Sequence, residues 1–267
     1  MRIAHISPPS ATYLSPEADQ IPAGVTVEDV LVRVEVPLAT DPARLTMKDL
    51  VYLDAAITAE KGGFDSIFVN TVADYGVDLI RGTVDVPVTG AGEAGIAAAL
   101  DRAPTFAIVT VWPSSTQIYY DRVLAATSTA GRCTSVRFVL EESELAEHGG
   151  GAGVMAAVDT PDSPTAERVL GVARRAVADG AASIVLGCSC MSRLTPSLQA
   201  ALPVPVIDPR AAGFAASVAA VRTDQAPVIP NRDTVARVIA AVDVWAELGD
   251  SVAGGWAEEC GDACAIA

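Results

Sequence analysis

Gly63-Phe64-Asp65-Ser66-Ile67-Phe68-Val69-Asn70-Thr71 and Gly180-Ala181-Ala182-Ser183-Ile184-Val185-Leu186-Gly187-Cys188 are two copies of one pattern, 117 residues apart. Each opens on a glycine, passes through a short apolar run and ends on a small polar or thiol-bearing residue. At an offset of 118, Val86-Pro87-Val88 matches Val204-Pro205-Val206, and Ala94-Gly95-Ile96-Ala97-Ala98 matches Ala212-Gly213-Phe214-Ala215-Ala216. Each copy reads as a buried strand, a turn, a short helix, a second strand and an Ala-rich helix. The same order in both copies points to an internal duplication, hence to two similar lobes.

Outward from the repeat, short apolar runs alternate with helical spacing along the chain. Strands are expected at Arg2–Ser7, Val27–Val36, Asp65–Asn70, Val86–Thr89, Phe106–Trp112, Ser135–Leu140, Ser183–Cys188 and Val204–Asp208. Helices are expected at Thr46–Lys61, stopped by Gly62-Gly63, at Ser163–Asp179, with Pro164 in its first turn, and at Asn231–Leu248. Alternating strands and helices make parallel sheets covered on both faces. The expected fold is therefore α/β, with two pseudo-symmetric lobes, each a mainly parallel four-stranded sheet flanked by helices. Residues 1–103 and 207–267 form the first lobe and residues 104–206 the second. Ligands of such sheets bind beyond the carboxyl ends of the strands, which puts the active site in the inter-lobe cleft, with Thr71 and Cys188 facing each other.

Composition narrows the function. The 267 residues carry 33 Asp and Glu against 18 Lys and Arg, a net charge of −15, and only Lys48 and Lys61 are lysines. Such a chain repels phosphate backbones and anionic headgroups, so neither nucleic acid nor a membrane surface is an expected partner. No apolar run reaches the roughly 18–20 residues of a membrane span, and Met1 leads directly into a strand-like segment without a leader. The expected location is cytoplasmic. Cys133, Cys188, Cys190, Cys260 and Cys264 are odd in number in a chain large enough to fold without staples, and are read as reduced thiols. Cys260 and Cys264 supply too few ligands for a structural zinc, so no metal site is expected. Cys188, just past a strand end and before a helix, would meet backbone N–H groups that favour its thiolate. Cys190 is expected to pack inward.

The run Leu186-Gly187-Cys188-Ser189-Cys190-Met191 resembles the second-cysteine motif of the aspartate/glutamate/hydantoin racemase superfamily, in its hydantoin-racemase branch. Asp65-Ser66-Ile67-Phe68-Val69-Asn70-Thr71-Val72-Ala73-Asp74-Tyr75-Gly76-Val77-Asp78 and Val86-Pro87-Val88-Thr89-Gly90-Ala91-Gly92-Glu93-Ala94 resemble the corresponding first half. The resemblance implies a cleft enzyme without cofactor or metal, in which two facing cysteines take and return the proton α to a carboxylate or carbonyl. This chain departs from that pattern at the first cysteine, which falls at Thr71, or at Val69 if Asn70-Thr71 is aligned to the Cys-Asn-Thr form of aspartate racemases; neither alignment gives a thiol. A threonine hydroxyl is too weak an acid to serve as a thiolate base, but it can donate a hydrogen bond to an oxyanion. Ser7-Pro8-Pro9-Ser10 stands where the family often has an Asn-Pro-Asn element.

The expected activity is a cofactor-independent isomerase of racemase or epimerase type, with Cys188 as acid/base and Thr71 opposite it. Ser7, Ser10, Asn70, Val72, Ala73, Thr110, Gly187 and Ser189 are the expected substrate-binding residues. The substrate would be a small carboxylic acid, an amino-acid derivative or a cyclic amide. A decarboxylase of the arylmalonate type, using Cys188 as its single proton donor, is the alternative chemistry. A non-catalytic homologue binding a small acid is the alternative class. The sequence leaves open whether the chain forms a homo-oligomer. Asp74 and Glu93 are read as helix caps, Tyr119 and Tyr120 as one inward and one outward, and His148 as part of an exposed loop.

Overall fold

The structure, a computed structural model, describes residues 1–8, 16, 20–221 and 232–248. Among the described residues, eight strands form two sheets. β1 (Arg2–Ser7), β2 (Thr26–Leu31), β3 (Ser66–Val69) and β4 (Val88–Gly90) lie in the order β2-β1-β3-β4. β5 (Phe106–Thr110), β6 (Cys133–Phe138), β7 (Ile184–Leu186) and β8 (Val206–Ile207) lie in the order β6-β5-β7-β8. Every pairing is parallel, and the two orders are the same order once the second set is renumbered. The duplication reaches the hydrogen bonds. Ile67 donates its N–H to the Pro87 carbonyl at 2.8 Å, and Ile184 donates to Pro205 at 2.9 Å. Asn70 donates to Ile6 at 3.0 Å, and Gly187 donates to Val109 at 2.7 Å.

The helices are α1 (Pro42–Lys61), α2 (Val77–Arg81), α3 (Ala91–Leu100), α4 (Gln117–Ala126), α5 (Glu142–Glu147), α6 (Gly151–Asp159), α7 (Pro164–Ala178), α8 (Thr195–Ala201), α9 (Pro209–Ala220) and α10 (Arg232–Leu248). α7 begins as expected, with Ser163 Oγ accepting from the Ala166 N–H at 3.1 Å. α1 begins a turn earlier than Thr46. Asp41 accepts from the Arg44 N–H at 2.9 Å and Pro42 occupies the first turn, a start that apolar spacing alone does not reveal. β2 is shorter than expected. β1 stops at Ser7, opposite Leu31, so the chain beyond Leu31 has no strand left to pair with and turns toward the cleft. Asn231, Cys260 and Cys264 lie outside the described residues. No described helix is long and apolar enough to cross a membrane.

The lobes meet at α3 and α9, the two Ala-rich helices of the repeat. A Cβ built on Gly95 would lie 3.0 Å from the Pro209 side chain, and one on Gly213 would lie 3.1 Å from Ala91 Cα and 2.4 Å from the Phe68 ring. Gly95 pairs with Gly213 in the repeat, and Ala91 with Pro209, so the contact is its own near-mirror about a pseudo-twofold axis. Close packing leaves no space for an added methyl, because Phe68 is fully buried and cannot swing away. Gly213→Ala is therefore expected to lower unfolding free energy by about 1–3 kcal/mol, as over-packing of a closed core does. Urea denaturation checks this, and an unchanged midpoint would count against the tight contact.

Candidate active site

Both sheets end on one cavity of about 450 Å³, lined from the first lobe by Asn70, Thr71, Val72, Ala73 and the segment from Val32 to Leu38. The second lobe contributes Gly187, Cys188 and Ser189 from the end of β7, with Trp112, Tyr119 and Met155. The structure thus brings together Asn70, Thr71, Val72, Ala73, Gly187, Cys188 and Ser189. The walls are mostly apolar and aromatic. Among the described lining residues, Lys48 is the one cation and Glu35 the one carboxylate.

The turn after β3 is held from three sides. Asp74 closes it by donating its N–H to the Thr71 carbonyl at 3.2 Å, so the central amides of Val72 and Ala73 play no part in that bond. The Asp74 carboxylate accepts from the N–H groups of Gly92 and Glu93 at 2.8 and 2.7 Å. It caps α3 from a distance, whereas the sequence suggested its own helix. Burial first, then the nearby Glu93 carboxylate, pushes Asp74 up to about 8. Glu93 does act as a local cap, accepting from the Gly90 N–H at 3.0 Å. From the second lobe, Arg122 forks onto both Asp49 oxygens at 2.8 Å and donates to the Ala73 carbonyl at 2.6 Å.

Opposite, β7 ends at Leu186, and a 3-10 helix runs over Ser189–Leu194 with Cys188 as its N-cap. Gly187 is required here: a Cβ would lie 2.5 Å from Thr110 Cβ. Cys188 and Cys190 are joined by a disulfide, with Cα atoms 5.1 Å apart. This corrects the expectation of reduced thiols for Cys188 and Cys190. Chain size and cysteine count argue about the fold's need for staples; they carry no information on a turn that folds residues two apart onto each other. Cys190 is buried as expected, yet its sulfur is bonded to Cys188. Cys133 is free and half-buried, and burial raises its thiol above the ordinary range.

Two expected binding residues, Thr110 and Ser7, lie behind the cavity wall, and a third, Ser189, spends its hydroxyl on another partner. Thr110 is fully buried and away from the cavity; its Oγ1 lies 2.6 Å from the Tyr120 hydroxyl, which also donates to the Gly187 carbonyl at 2.9 Å. Ser7 is fully buried one residue before the lining Pro8. Ser189 does line the cavity, but its hydroxyl donates across the cleft to the Asn70 carbonyl at 3.1 Å, so it ties the lobes together. Ser10 lies outside the described residues. Tyr119 and Tyr120 both point inward, because α4 is covered on two sides. His148 is the C-cap of α5, and the glycines after it start α6 against Trp112, so this stretch is a helical corner at the cavity rim and not an open loop.

Several lining residues escaped the sequence reading: Lys48, Val51 and Tyr52 of α1, together with Tyr75. The one available signal was the rarity of lysine. The Tyr52 hydroxyl and Thr71 Oγ1 are buried without a hydrogen-bond partner among the described residues, an arrangement that a polar ligand would satisfy. Among the described residues, no three His, Cys, Asp or Glu side chains converge on a metal site.

A two-lobed α/β frame with a cysteine at one strand end and a small residue at its counterpart defines a class of cleft protein, and comparison with known proteins names the family. The profile described as Asp/Glu/Hydantoin racemase matches residues 23–217; the chain belongs to that family. It is 33% identical over 146 residues to the hydantoin racemase of Paenarthrobacter aurescens, covering 54% of this chain and 56% of that one. It is 31% identical over 157 residues to the hydantoin racemase of Rhizobium meliloti, covering 56% and 57%. The chain thus aligns with just over half the length of these curated relatives. Allantoin racemase from Klebsiella pneumoniae shares the fold, with a TM-score of 0.69 and 24% identity over 82% of this chain and 86% of that one. Arylmalonate decarboxylase shares it at 0.53 and 15%, over 85% and 95%.

The disulfide has a direct chemical consequence. A sulfur bonded to sulfur has no thiolate to alkylate. Unreduced protein treated with iodoacetamide should be unmodified at Cys188 by peptide mass mapping, and modified there after dithiothreitol. Cys190→Ser should be labelled at Cys188 without reductant. Labelling of Cys188 in the unreduced wild type would show that the bond does not form in solution.

Proposed function

We propose that the protein is a racemase or epimerase acting on a small cyclic amide of hydantoin type that carries an apolar substituent on its stereogenic carbon, with Cys188 in its thiol form as one acid/base. The observation that carries this reading is the cavity wall. A dicarboxylate or an amino-acid zwitterion needs several cationic partners, because desolvating a charge without a partner is costly. Lys48 is the one cation among the described lining residues. Val32, Val51, Trp112 and Met155 instead suit an apolar substituent, and the unpartnered Thr71 and Tyr52 hydroxyls suit the ring's carbonyl and N–H groups.

Proton removal from the stereogenic carbon pushes the C–H electron pair into the adjacent carbonyl, and the resulting oxyanion needs donors already in place. The Thr71 hydroxyl and the amides of Val72 and Ala73, inside a turn fixed by Arg122 and Asp74, fit that task. Cys188 becomes competent once a thiol reductant supplies two electrons and two protons to its bond with Cys190. The Cys190 N–H, 3.1 Å from Cys188 Sγ, is then placed to donate to that sulfur.

A decarboxylase is the second reading, favoured by one observation: the strand-end partner of Cys188 is Thr71, and loss of CO2 requires one proton donor on one face. The two separate cleanly. With dithiothreitol in D2O, an enantiopure benzyl-substituted hydantoin should lose its optical rotation and gain deuterium at the stereogenic carbon. Cys188→Ala should slow the loss of optical rotation by about 10²–10⁴-fold with an unchanged melting temperature. Release of CO2 from a phenyl-substituted malonate, with no deuterium entering the hydantoin, would replace the racemase reading by the decarboxylase.

A further inference from the structure

We infer that Lys48 supplies the second acid/base, working from the first lobe on the face of the substrate opposite Cys188; this rests on the racemase reading above. Inversion requires that a proton leave one face and another arrive on the other. Thr71 stands at the repeat counterpart of Cys188, and its hydroxyl cannot take that part. The group must therefore come from another residue on the first-lobe wall.

Lys48 is placed to do so. It projects from α1 into the cavity that Thr71 and Cys188 share. Its Nζ donates to the Val36 carbonyl at 2.7 Å and lies 5.3 Å from the centroid of the Tyr75 ring. The carbonyl uses one of three ammonium hydrogens and fixes the head group, leaving others directed elsewhere. A neutral amine could keep that bond and still present its lone pair. Burial brings Lys48 down to about 8, opposed by the charge of Glu35. That lies within reach of neutral pH, where a group exchanges protons most effectively. The other titratable first-lobe groups on the wall suit the task less well. Burial raises Tyr52 and Tyr75 above the ordinary phenol range. Glu35 is exposed.

The proton balance closes without an oxidant or cofactor once Cys188 is reduced. For one enantiomer the Cys188 thiolate takes the proton, the electron pair delocalises into the carbonyl, and the Lys48 ammonium returns a proton to the carbon from the other side. Thiol and neutral amine remain, which is the starting state for the other enantiomer.

This assignment predicts an asymmetry that a packing role would not produce. Lys48→Met keeps an unbranched side chain of similar volume and removes the titrating group. In D2O with dithiothreitol it should racemise a benzyl-substituted hydantoin at least about 10²-fold more slowly than wild type. It should still exchange the stereogenic proton of one enantiomer with retention, through Cys188. Cys188→Ala should exchange only the other enantiomer. Should Lys48→Met fold poorly, Lys48→Ala supplemented with ethylamine provides a second route, with racemisation rising with amine concentration. Racemisation by Lys48→Met within twofold of wild type, or loss of exchange in both enantiomers alike, would overturn the assignment while leaving the racemase intact. A wild type that neither racemises nor exchanges the hydantoin removes both.

Discussion

The close approach of α3 and α9 is the constraint on which the cleft depends. Each helix begins just after an edge strand of its own sheet, and each presents a glycine to the other's first residue, Gly95 to Pro209 and Gly213 to Ala91. With side chains at those positions the sheets would stand further apart. The bond from Ser189 to the Asn70 carbonyl and the fork of Arg122 onto Asp49 and the Ala73 carbonyl would then lose their partners. The small residues of the repeat thus determine how wide the cavity is, although none of them needs to touch a ligand.

The cleft is symmetric in its backbone and asymmetric in its chemistry. The equivalent hydrogen bonds at the ends of β3 and β7 deliver Thr71 and Cys188 to matching places. The surroundings of each have diverged. On the first-lobe side, a turn is clamped by Asp74 and Arg122 and faces two tyrosines and a lysine. On the second-lobe side, a short 3-10 helix carries two cysteines bonded to each other. A duplicated frame supplies two facing strand ends, and side-chain substitution decides which chemical group stands at each. The pairing of Cys188 with Cys190 adds a dependence on redox state that comes from the local turn and not from the frame.

Burial controls the electrostatics of the first lobe. Asp74 is raised because it is removed from water near Glu93, even though two backbone N–H groups donate to it. Lys48 is lowered for the same reason with the opposite sign. Desolvation disfavours the charged form in both cases. It acts on a structural cap in one instance and on a cavity-lining group in the other, so a displaced pKa by itself does not distinguish the two. Position does: the Asp74 carboxylate is engaged by amides of α3, while Lys48 faces the cavity with donors to spare.

The sequence by itself determined the eight strands, their two-lobed grouping and the strand-end placement of Thr71 and Cys188. Strand periodicity and a duplicated order are local and repeat signals, and both survive in one dimension. It also carried the family motifs around Asp74 and Cys188. Only the tertiary structure decided the start of α1 at Pro42, the use of Asp74 to cap α3, and the withdrawal of Thr110 behind Tyr120. Each depends on a partner far along the chain or on a capping geometry that apolar spacing does not encode. The same holds for Lys48, which lies 23 residues before Thr71 in the chain. It shares a wall with Thr71 because α1 packs across the sheet that ends there. The Cys188–Cys190 bond arose at the shortest range of all. It depended on how sharply the chain turns after β7, a question of backbone angles that residue identities leave open.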